Sequence, residues 1–219
     1  MLFFSDFSNI GAVSGRRAAG RGRKELPKTD MPLEQNPTST LRNATVSDRL
    51  SVADDGRPLQ VAFLLVDRFP EFALSCMIAT LRLANELSGR ALYGWRLIAE
   101  NGRSAISADG RMAAIEHGLD HEAETGAVLV LAGGEVDGHT TAAQIDYLRD
   151  EDRRGTPIGA ACSGAYLLVR AGLLSGGRLS LDGEAHGAAE AVSSGLVLMD
   201  RGFSLAGRFM TVADTRSSL

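Results

Sequence analysis

Two cysteines, one tryptophan and an aromatic share of 5% are the scarcities of this 219-residue chain. Cys76 and Cys162 lie far apart and lack Cys-x-x-Cys spacing, which excludes a disulfide framework and a zinc knuckle and suits a reducing cytoplasm. A net charge of -4 and a pI near 5.6 exclude bulk electrostatic binding to nucleic acid or anionic membrane. No apolar run approaches the roughly 18 residues that span a bilayer, so no membrane partner is expected. MLFFSDFSNIG has no basic region ahead of its apolar residues and is interrupted by Asp6, unlike a secretory signal. No fixed-period repeat is present, which removes solenoids and propellers.

What the chain has is uneven. From Met1 to about Pro58 it is Ser, Thr, Asn, Gly, Pro and charge without sustained periodicity, including the Arg-rich GRRAAGRGRKELPK. Such a stretch cannot bury enough surface to order itself, so residues 1–58 read as a disordered tail and residues 59–219 as one domain. LQVAFLLVD then opens a continuous apolar run typical of a strand buried on both faces. Leu74, Met77, Ile78, Leu81 and Ala84 follow at helical spacing, with Gly89 as the stop. WRLIAE is a second strand, Ser104 to Ile115 offers a short extra pairing, and AVLVLAGGEVDG is a buried strand ending in two glycines. Thr140 is the expected cap of a helix running to Arg153, with Ala142, Ile145 and Leu148 on one face. PIGAA and SGAYLLVRAGLL form the next strand and helix. LVLM, the turn DRG and FSLAG read as a hairpin.

Strands alternating with helices predict an α/β fold, a parallel sheet flanked by helices on both faces. Ligands bind such sheets at the carboxyl ends of the strands, so Asp67 to Glu71, Gly133 to Asp137 and Cys162 to Gly164 are brought to one edge. Cys162 sits on a strand-to-helix turn, where a helix terminus favours a thiolate. Gly164 would relieve crowding between helix and sheet, and the amides around Gly133 and Gly134 could line an oxyanion pocket. A thiol hydrolase also needs a base, and of the four histidines only His186 is reasonably placed. Cys76 in ALSCMIATL reads as a packing thiol. His117 and His121, flanked by acids, read as a solvated turn and not a metal site. Glu71 either faces the pocket or starts its helix.

The segments FLLVDRFPEFALSCMIATLRLANELSGRALYGWRLIAENG, VLVLAGGE and GAACSGAYLLVRAGLLSGGR together resemble the sensor half of AraC-type transcriptional regulators. That half is ThiJ/PfpI-like and related to class I glutamine amidotransferases; the likeness covers Leu59 to about Gly207. It implies a flavodoxin-like domain that binds a small-molecule effector such as an amino acid or amine derivative, forms a homodimer and needs no cofactor. DNA would be reached only through helix-turn-helix motifs. The attacking machinery of the enzyme relatives is degraded there, and this chain agrees: Ser163 stands where the hydrolases place a His, and LSLDGEAH puts Asp182 and Gly183 near the family's usual His-Trp. The expected effector-binding residues are Glu71, Gly133, Gly134, Glu135, Cys162 and Ser163, with Cys162 a pocket wall or redox-sensitive thiol; no residue is expected to be catalytic or to bind metal. The alternative is a cysteine-dependent hydrolase or lyase using Cys162. GRFMTVADTRSSL reads as the start of the helix closing the domain, and two helix-turn-helix units would need about another hundred residues, so the chain is expected to be a truncated regulator lacking its DNA-binding half.

Overall fold

The computed structural model describes residues 57–120, 125–174, 178–181, 185–193, 197–198 and 203–213. The tail reading of residues 1–58 falls almost wholly outside them, as do His121, Asp182 and Gly183. Six strands make the main sheet: β1 (Leu59–Leu65), β2 (Tyr93–Ile98), β5 (Ala127–Ala132), β6 (Ile158–Cys162), β9 (Phe203–Ala206) and β10 (Phe209–Val212), in the order β2-β1-β5-β6-β10-β9. All neighbours are parallel except β10 and β9, which pair antiparallel at one edge. A small hairpin of β3 (Ser104–Ile106) and β4 (Met112–Ala114) stands apart, as does the parallel pair β7 (Arg178–Leu179) and β8 (Val197–Leu198).

Alternation along the strands divides the core in two, because successive side chains point to opposite faces. Ala62, Leu64 and Val66 of the β1 segment join Val128, Val130, Ile158 and Ala160 on one face. That face is covered by α3 (Ala142–Arg154), α4 (Ala165–Arg170) and α5 (His186–Val192). Val61, Phe63 and Leu65 join Leu131, Ala161 and Cys162 on the other, under Ala73 and Leu74 of α1 (Glu71–Ser88). Helices therefore lie on both faces, as expected. Each fully buried aliphatic side chain contributes roughly 1.5–3 kcal/mol of burial free energy.

α1 follows Pro70, a residue that cannot continue a helix backwards, and ends at Gly89, whose φ of 64° and amide bond to the Glu86 carbonyl close the last turn. Met77, Ile78 and Leu81 pack on the core as the spacing predicts. Cys76 does not: it is exposed, because one residue before Met77 turns it away from that stripe. α3 is capped by Thr141 and not Thr140. Thr140 follows a short helix missed in the sequence, α2 (Val136–His139), and its hydroxyl donates to the Val136 carbonyl at 2.7 Å. Thr141 is extended and exchanges bonds with Gln144 in a capping box. Ile145 and Leu148 are buried as predicted, whereas Ala142 is exposed.

The end of the chain departs furthest from expectation. Val197–Leu198 pairs in parallel with β7, so LVLM is not the partner of FSLAG. FMTV is strand β10, not the start of a helix, and it makes the hairpin with FSLA across Gly207 and Arg208. Gly207, at φ 62°, supplies the left-handed first position of such a two-residue turn. Thr211 is buried beside β6, and its Oγ1 accepts the Ser180 amide at 2.9 Å, which anchors β10 inside the sheet.

Candidate ligand site

Among the described residues, three without glycine's freedom hold positive φ: Arg68 (67°), Glu135 (56°) and Cys162 (54°). They end or follow β1, β5 and β6, three neighbouring parallel strands, at their carboxyl edge. Left-handed backbone costs such residues of order 1–3 kcal/mol each, and this strain collects where ligands or substrates are held. The order of the sheet reverses between β1 and β5, so this edge is also the topological switch point, where α/β sheets open a crevice.

The elbow is tightly built. Cys162 pairs in register with Ala132 and is buried among Leu131, Ala161 and the α1 face. The Ser163 amide donates to the Ala132 carbonyl at 3.0 Å and the Gly164 amide to the Ala161 carbonyl at 2.9 Å. These two amides are therefore bound to the sheet and do not face the thiol as oxyanion donors. Ser163 is fully enclosed, and its Oγ finds no hydrogen-bond partner among the described residues. A Cβ on Gly164 would meet the Val130 carbonyl oxygen at 2.6 Å, so glycine is what lets α4 approach β5, as the sequence suggested. Gly133 makes the same kind of approach to the Arg68 carbonyl.

The six residues singled out from sequence fall in three places. Gly133, Gly134, Cys162 and Ser163 gather at the ends of β5 and β6. Glu135 lines a second hollow of about 410 Å³ with Val136, Asp137, His139 and Ala188; its carboxylate lies 3.9 Å from the Arg68 guanidinium, an exposed pair of small energetic weight. Glu71 starts α1, pairs with Arg111 at 3.8 Å and borders a small apolar hollow between α1 and the β3–β4 hairpin. His186 opens α5, and His117 is exposed, its backbone bridged to Ile98.

The cleft at the switch point itself was only partly visible in sequence. About 350 Å³ is enclosed by Leu65, Asp67, Ala99, Glu100, Asn101, Ser104, His139, Thr141 and Gln144. Asp67 follows β1, and its Oδ1 accepts the Ile106 amide at 2.9 Å; Asn101 Oδ1 accepts the amides of Arg103 and Ser104. Neither Asp67 nor Glu100 forms an ion pair among the described residues, so the cleft lining includes two carboxylates and His139. Glu100, Asn101 and Ser104 carried no motif; their only signal was position just after strand β2. Asp137 of α2 accepts from the Tyr166 hydroxyl and, at 3.2 Å, from Arg170, tying α2 to α4. Burial, and secondarily the bond to Asp137, raises the Tyr166 pKa. Among the described residues no group of three or more His, Cys, Asp or Glu is arranged to hold a metal ion, and no helix is long and apolar enough to cross a membrane.

Comparison with known proteins decides the fold. The chain superposes on an AraC family transcriptional regulator from Pseudomonas putida with a TM-score of 0.64 at 21% identity, covering 74% of this chain and 86% of that one. It superposes on a ThiJ/PfpI domain protein from Brachyspira murdochii with a TM-score of 0.59 at 13% identity, covering 74% and 91%. The fold is of the ThiJ/PfpI type. In sequence the chain is 32% identical over 148 residues to the HTH-type transcriptional regulator GbdR of Pseudomonas aeruginosa, covering 68% of this chain and 40% of that regulator. The chain thus spans less than half the length of this curated relative. No family model matches it. The resemblance to the sensor half of AraC-type regulators holds, and the same ThiJ/PfpI fold also serves proteins of other kinds.

Proposed function

We propose that this ThiJ/PfpI domain is the non-catalytic, small-molecule-sensing and dimerising part of an AraC-type transcriptional regulator acting in the cytoplasm. DNA contact then belongs to the helix-turn-helix part of such a regulator, outside the domain described. The observation that carries the reading is the cleft at the switch point, whose wall holds Asp67 and Glu100 with polar neighbours Asn101, Ser104 and Thr141. Two carboxylates facing one small cavity suit a cationic nitrogen, and the surrounding amide and hydroxyl groups suit a second polar end, as in an amino acid or amine derivative. Cys162 supports a wall at the neighbouring elbow and not a nucleophile: the Ser163 and Gly164 amides are spent on the sheet. Its strained φ is then an inherited backbone feature that shapes the crevice.

The test is a thermal-shift survey with amino acids and small amines, repeated with Asp67→Asn and Glu100→Gln. A ligand present at about 100 times its dissociation constant adds about 2.7 kcal/mol, or roughly 5–10 °C in a domain of this size. The carboxylate variants should lose most of that shift and keep the unliganded melting temperature within about 2 °C. Thiol-dependent turnover of amides, esters or aldehydes, abolished by Cys162→Ser, would replace this reading with an enzymatic one.

A further inference from the structure

α3 begins at the wall of the switch-point cleft, and its first turn is incompletely bonded. The first backbone amides of a helix find no carbonyl within it to donate to, so each needs another partner. Here the capping box serves two of them: the Thr141 amide donates to Gln144 Oε1 at 3.1 Å, and the Gln144 amide to Thr141 Oγ1 at 3.3 Å. The Ala142 and Ala143 amides between them donate to nothing among the described residues, and both residues are exposed. Free amides at a helix end are common. The Gln144 side chain is not: it is only 4% exposed, yet it lines the cleft. With Oε1 held by the Thr141 amide, Nε2 at the other side of the planar group faces away from that bond. Nε2 donates to no group among the described residues, and it is not sealed off as Ser163 Oγ is. A nearly buried amide with both N–H donors unused is costly unless something accepts from it.

The donors and the acceptors of the cleft come from different elements. Gln144 and the free amides belong to the start of α3, where the helix dipole adds partial positive charge, whereas Asp67 and Glu100 follow β1 and β2. A ligand carrying one sign of charge would satisfy one set and leave the other without a partner. We infer that the start of α3 is a carboxylate subsite of the cleft, with Gln144 Nε2 and the Ala142 and Ala143 amides as its donors and Asp67 and Glu100 left for the cationic end of the same molecule. Hydrogen bonds from such donors to a carboxylate are charge-assisted, and so are stronger than those to a neutral oxygen. The effector is then a small zwitterion, and a simple amine lacks half of the recognition. The inference rests on the proposed effector cleft and adds the residues that hold its anionic end.

Calorimetric titration of the full chain tests it, with each common amino acid set beside the amine left when its carboxylate is removed. At least one amino acid should bind, and its decarboxylated amine should bind roughly 30-fold more weakly or worse. Gln144→Glu separates recognition from structure. Glutamate at this position keeps an oxygen for the Thr141 amide and suits the helix terminus, so the unliganded melting temperature should hold within about 2 °C. Its charge should weaken the amino acid roughly 30-fold or more while the amine binds as before or more tightly. Ala142→Pro deletes one donor where proline readily starts a helix, after a residue already extended at ψ 162°, and should weaken the amino acid roughly 10-fold. Equal binding of an amino acid and its amine to the wild type, or equal losses of both in Gln144→Glu, overturns the subsite and leaves the cleft standing. Binding of no amino acid or amine, or binding indifferent to Asp67→Asn and Glu100→Gln, defeats the cleft itself.

Discussion

Replacing Gly164 by alanine tests how the elbow is held. The backbone of Gly164, at φ -59° and ψ -28°, is one that alanine adopts without cost, so the substitution introduces contact and no torsional strain. The added Cβ would stand 2.6 Å from the Val130 carbonyl oxygen and 2.9 Å from that of Ala161. A carbon tolerates such an oxygen at about 3.3 Å, so α4 or β5 must shift by more than half an ångström. Neither yields easily: Val130 is fully buried in the middle of a parallel sheet, and α4 carries five consecutive buried residues, Ala165 to Val169. Overpacking of this kind costs about 1–3 kcal/mol. In a domain of this size that lowers the melting temperature by roughly 3–10 °C. Gly187→Ala is the matched control. Gly187 lies exposed in α5 with no atom within 4 Å of the added Cβ, and there alanine should stabilise by roughly 0.5–1 kcal/mol. Urea titration of both variants reads the two signs. An unchanged or raised midpoint for Gly164→Ala would refute the claim that glycine sets the approach of helix to sheet.

Other expectations are simpler. Leu148→Ala removes a fully buried side chain from the α3 face of the core and should cost about 2–5 kcal/mol by urea denaturation. Thr141→Ala breaks the capping box of α3 and should cost about 1 kcal/mol, with Thr141→Ser recovering most of it. Burial, reinforced by the negative charge of Glu151, pushes the Tyr147 pKa up to about 12, from 10 in an unfolded chain. The folded state therefore holds this proton more tightly: its contribution is complete below pH 10 and is lost as pH rises from there through 12. Tyr147→Phe should flatten the fall of stability over that window, and equal slopes for the two proteins would contradict it.

Much of the architecture was legible because it depends on short-range pattern. The apolar run LQVAFLLVD, the helical spacing from Leu74 to Ala84 and the glycines at 89 and 164 each act through a strand face, a helix face or one backbone position. The likeness to the sensor half of AraC-type regulators was legible in the same segments. The end of the chain was not, because FMTV and LVLM are too short to choose a partner by pattern. Their pairing is set by which open edge remains: β10 lies beside β6 because Thr211 is buried there and bonds to Ser180, more than thirty residues earlier in the chain. Cys76 was misplaced for a related reason. A helix with apolar residues on two sides does not say which stripe faces inward until the sheet is present.

The site divides along the same line. Sequence alone determined that Cys162 stands on a strand-to-helix elbow and that Gly133, Gly134 and Glu135 follow a neighbouring strand, since each is a local transition from one period to another. Only the tertiary structure brought Asp67, Glu100 and His139 to one cleft, and only it showed the amides of Ser163 and Gly164 already bound to the sheet. Those relations join strands that are adjacent in space but separated by tens of residues in the chain. Charge and hydrogen-bond geometry act through distance, and distance is set by the order of strands in the sheet.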